Sequence, residues 1–115
     1  MVTPKLVSLS CDELARGETP IDPENCLLRF LAVIGPDGVS GDNFQFYVAT
    51  PKALLHSQYN GWGKDHMILQ QFSWDLVENF VHNLLPHVRG DTWEHVARQL
   101  HEFMDWEFYN YQQAS

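Results

Sequence analysis

A chain of 115 residues, 44% hydrophobic and 13% aromatic, is too short for two independent cores and too apolar for general disorder. No run nears the ~18 apolar residues of a membrane span, and Met1 to Ser10 lacks the unbroken apolar stretch of a secretory signal. Seven Lys and Arg against fifteen Asp and Glu give a net charge of -8, which argues against nucleic acid and against an acidic membrane surface as partners.

Lys5 to Ser10 alternates weakly, with Leu6 set against Val7 and Leu9, and reads as an edge strand. Residues 15–25 hold two prolines and a glycine and read as loop. Cys26 to Ile34 is apolar but for Arg29, the pattern of a strand covered on both faces. Gly35-Pro36-Asp37-Gly38 turns the chain. In Asn43 to Ala49, Phe44, Phe46 and Val48 then share one face. The two runs make a hairpin whose connection, from Gly35 to Asp42, is too long for a tight turn. Thr50-Pro51 is a helix start, with Lys52 to Ser57 as the body. Tyr59 to Asp65 is glycine-punctuated loop, and His66 to Phe72 a further strand.

The period then becomes helical. Ser73 caps a helix whose apolar stripe is Leu76, Val77, Phe80, Val81, Leu84 and Leu85, closed by Pro86 and Gly90. Asp91, three residues before Glu94, resembles the acceptor of a capping box. The next helix buries Trp93, Val96, Ala97, Leu100, Phe103 and Met104 and wets Arg98, Glu102 and Asp105. An aromatic tail, Trp106 to Tyr111, must fold back or meet a partner. The expectation is one α+β domain over residues 1–115: an antiparallel sheet of about four strands with two C-terminal helices on one face.

Catalytic chemistry finds no pattern. The six histidines include no pair three or four residues apart, and Cys11 and Cys26 form no metal motif, so neither metal nor cofactor is expected. Both cysteines read as ordinary thiols of a reducing cytoplasm. Asp75 with Glu78 and Glu102 with Asp105 are pairs on solvated helix faces. The glycine loop 35–41 lacks phosphate-binding spacing and carries acids that repel phosphate. Aromatics beside acids are another matter, because they form interface anchors for a basic partner. The candidates are Tyr59, Trp62 and Asp65 in the loop, and Glu102, Asp105, Glu107, Tyr109 and Tyr111 near the end, where no base follows Arg98.

Several stretches together resemble a known family: Ile34-Gly35-x-x-Gly38-x-x-Gly41-x-x-Phe44, Val48-x-Thr50-Pro51, Thr92-Trp93-Glu94-x-Val96, Leu100 and Trp106-Glu107-Phe108. They are similar to the immunity protein 8 family of bacterial polymorphic-toxin and contact-dependent inhibition systems. The likeness runs from about Leu27 to Tyr111, with residues 1–25 outside it. It implies a non-enzymatic cytoplasmic antitoxin that binds the C-terminal domain of a cognate secreted toxin, often a basic nuclease. It also implies scaffold roles for Gly35, Gly38, Gly41, Thr50-Pro51, Trp93 and Trp106, and assigns no contact residue. Two other readings stay open: a small acidic metal-dependent hydrolase using His and carboxylates, and a regulatory module that dimerises through its aromatic tail.

Overall fold

The computed structural model describes residues 1–57, 60 and 63–109. Strand β1 (Lys5–Cys11) pairs antiparallel with β2 (Leu27–Gly35), and β2 pairs antiparallel with β3 (Asp42–Ala49). Residues 36–41 connect β2 to β3, a shorter connection than the expected 35–42, because Ile34 and Asp42 are already in register. Inside that turn the Asp37 carboxylate accepts from the backbone N–H of Val39 and of Ser40. Those two bonds, ahead of other causes, hold its carboxyl below the usual aspartate range.

Helix α1 (Pro51–Ser57) starts as the sequence indicates. Buried Thr50 offers its hydroxyl to the N–H of Ala53 and also to the N–H of Cys26, so one side chain caps the helix and ties it to the start of β2. The crossover through α1 returns the chain parallel to β3. The following strand, β4 (His66–Ile68), accordingly pairs parallel, Tyr47 opposite His66. It is shorter than the expected strand to Phe72 and is not antiparallel.

Helix α2 (Trp74–Leu84) is capped by Ser73, whose hydroxyl accepts from Leu76 N–H. A single 3-10 turn containing Pro86 follows it. Helix α3 (Trp93–Leu100) is capped by Thr92, which accepts from His95 N–H, and not by Asp91. Glu94 pairs instead with Arg98 one turn on. The helix stops at Leu100, so Phe103 leaves its buried side, and the chain turns into β5 (Asp105–Trp106), a fifth strand antiparallel to β3.

Among the described residues the architecture is thus α+β, a five-stranded, mostly antiparallel sheet with three helices, two of them in the C-terminal half. Phe30, Ile34, Phe44 and Val48 on one sheet face meet Val77 of α2 and Val96 and Leu100 of α3, all fully buried. α2 and α3 both pack on that face. For this reason β2 is not covered on both sides: Leu28, Phe30 and Ala32 are buried, whereas Leu27 and Arg29 are exposed. The loop after β1 is pinned from outside, since the Trp74 indole donates to Glu18 O at 2.7 Å and lies 5.2 Å from the Arg16 guanidinium.

Candidate functional site

Along its outer edge β3 is served by two short strands rather than one. β4 pairs with Tyr47, Val48 and Ala49, and β5 pairs with Phe44 and Gln45. The gap between them falls at Phe46. There the molecule opens into an apolar groove of about 310 Å³, walled by Phe46 and Met67 of the sheet, by Phe80 and Leu84 of α2, and by Phe103 and Met104 of the turn after α3. The apolar stripe on α2 is wider than one sheet can cover, because Leu76 and Val81 stand about 140° apart at 3.6 residues per turn. Val77 and Val81 take the core, which leaves Phe80 52% exposed. Phe103, expected inside, is 53% exposed because α3 ends three residues before it.

Strand pairing brings Asp65, just before β4, and the turn into β5 to this one edge. Asp65 precedes His66, while Glu102 and Asp105 bracket Phe103 and Met104. Asp65 takes a left-handed backbone (φ 61°), its carbonyl accepts Tyr47 N–H at 2.8 Å, and its carboxylate lies 3.2 Å from His66 Nδ1. Lys64 O is also 2.9 Å from that nitrogen. The His66 ring stacks on Tyr47. Glu102 and Asp105 are exposed. Glu107 is exposed too, yet it is engaged within the fold. Its carboxylate accepts from Asn43 N–H, and its own N–H donates to Asn43 O at 3.1 Å.

His101 sits between these segments. Its Nδ1 accepts Trp106 N–H at 3.2 Å, so the more distant Asp105 carboxylate, 3.9 Å away, faces a neutral ring. Burial, followed by the charge of Lys64, pushes its pKa below the ordinary histidine value. Tyr109 stacks flat on this imidazole with centroids 3.6 Å apart, and the Arg98 guanidinium lies 5.9 Å from the tyrosine ring. Tyr59, Trp62 and Tyr111 lie outside the described residues. No group of three or more His, Cys, Asp or Glu among the described residues could hold a metal ion, and no described helix is long and apolar enough to cross a membrane. Cys11 and Cys26 are free thiols, their pKa values raised chiefly by burial.

The groove residues Phe46, Met67, Phe80 and Phe103 carry a sequence pattern that reads as core. Only the excess width of the α2 stripe signals otherwise.

A sequence model described as immunity protein 8 matches residues 5–111. The chain belongs to the immunity protein 8 family. The match begins in β1 and takes in the loop after it, so the family's extent is wider than the stretch from Leu27 that its motifs mark. Membership implies toxin neutralisation, in a family of generally non-catalytic inhibitors. No curated protein and no solved structure matches the chain.

Proposed function

We propose that this immunity protein works in the cytoplasm, binding the C-terminal domain of a cognate polymorphic or contact-dependent inhibition toxin and covering its active site or substrate groove. The toxin domain is a basic nuclease in this reading. A net charge of -8 would speed encounter with such a domain, and no chemical step by the immunity protein is needed. The observation that supports it most is the gathering of Asp65, Glu102 and Asp105 beside exposed aromatic side chains at one sheet edge. Tyr109 belongs to the same surface, and Tyr59, Trp62, Glu107 and Tyr111 complete the proposed contact set.

The test is protection. Cells producing the C-terminal domain of the toxin encoded beside this gene should die, and co-production of the chain should restore growth. Double charge reversal at Glu102 and Asp105 should weaken the rescue. Death despite abundant folded immunity protein would refute the reading. Full rescue by the reversed variant would refute the site.

A further inference from the structure

Resting on the proposed toxin-binding role, we infer that the groove beside Phe46 is an anchor pocket for one large apolar side chain of the toxin domain, carried on a segment with Lys or Arg at its flanks. Single exposed hydrophobics are ordinary on protein surfaces. Here Phe80 and Phe103, at 52% and 53% exposure, line one concavity with Met67 and Met104. Exposed aromatic walls give up water on contact, and flexible thioethers adapt to what enters. A volume of about 310 Å³ is at the small end of binding cavities, which suits a single side chain better than an extended ligand. An apolar centre with a polar rim is also the anatomy of interface hot spots.

The rim determines which partner fits. Asp65, Glu102 and Asp105 adjoin the lining residues in sequence. Lys64 opposes them, and Arg98, also close enough to act on His101, is already paired with Glu94. A second copy of this chain would bring another -8 against the same surface. A basic flank meets three carboxylates, Asp65, Glu102 and Asp105, set against the single charge of Lys64.

Calorimetry of the full-length chain with the C-terminal domain of the neighbouring toxin tests the pocket. Phe80→Ser and Phe103→Ser, both on exposed walls, should keep the wild-type thermal midpoint yet each weaken binding by about thirtyfold or more. Val39→Ser, at an exposed apolar position in the β2–β3 turn, should leave affinity unchanged. Folded serine variants that bind as tightly as wild type would overturn the pocket while leaving the toxin-binding role intact. Failure of the wild-type chain to bind would overturn both. A concentration-dependent dimer abolished by Phe80→Ser would assign the groove to a second copy and overturn the inference. Unmasking of the groove to an apolar dye only on deletion of residues 110–115 would assign it to the chain's own end, with the same consequence.

Discussion

Asp42 Oδ2 accepts two indole N–H groups, from Trp93 at 2.8 Å and from Trp106 at 2.9 Å. One carboxylate at the start of β3 therefore fixes the start of α3 and the strand that returns after it. The two rings also pack on Phe44, Trp93 edge-on and Trp106 stacked. Asp42→Ala would leave both part-buried donors without this acceptor, at a cost of roughly 1–3 kcal/mol for each that stays unsatisfied. Asp42→Asn should cost less, since the amide can still accept. Urea denaturation followed by tryptophan fluorescence separates the two. His101 yields a second expectation. Its pKa is lowered in the fold, so as pH falls through the ordinary value of 6.5 the unfolded chain takes up a proton first. The stabilisation from the neutral ring is complete above that value and is lost toward acid, where protonated Nδ1 can no longer accept from Trp106. Thermal midpoints measured at about pH 7.5 and about pH 5.5 should fall less for His101→Gln than for wild type. The family resemblance implies scaffold roles for Trp93 and Trp106, but their shared acceptor is not legible in the sequence. It lies 51 and 64 residues away, and no local pattern encodes such a contact.

The β2–β3 hairpin depends on a close backbone crossing at its base. A Cβ at Gly41 would overlap the Ile34 carbonyl, and one at Gly35 would overlap that of Ser40. Gly41→Ala should therefore destabilise by about 2–3 kcal/mol, since the overlap is with main chain and no flexible side chain can yield. The urea midpoint should fall with the slope unchanged. Local signals sufficed for this hairpin, for the Thr50 and Ser73 caps and for the alternation of Phe44, Phe46 and Val48. They failed wherever an element takes its form from a distant partner. His66–Ile68 is parallel because α1 carries the chain across, and Asp105–Trp106 is a strand only because β3 offers an open edge there. In sequence Leu27 and Phe80 read as interior, because apolar character alone does not reveal which side of an element lacks a neighbour.

At the scale of the whole molecule, the excess negative charge is distributed along the chain and reinforced by Glu102 and Asp105, which flank the groove residues Phe103 and Met104 in sequence after the last base. Such a field acts over about 8 Å at physiological ionic strength and so governs the rate of encounter more than the lifetime of a complex. Association with a basic toxin domain should slow as salt rises, and dissociation should change little. Groove variants should show the opposite pattern, with faster dissociation and nearly constant association. The candidate surface was half legible in the sequence. The acids and their neighbouring aromatics could be named, whereas the concavity between them arises from a helix that ends early and two strands that leave a gap. The most direct measurement is surface-immobilised kinetics of the full chain against the C-terminal domain of the neighbouring toxin, at low and high salt, with toxin activity assayed in parallel. The account predicts a one-to-one complex with nanomolar or tighter affinity, salt-sensitive association and complete loss of toxin activity at equivalence. Absence of a complex, or a toxin left fully active within it, would contradict the account.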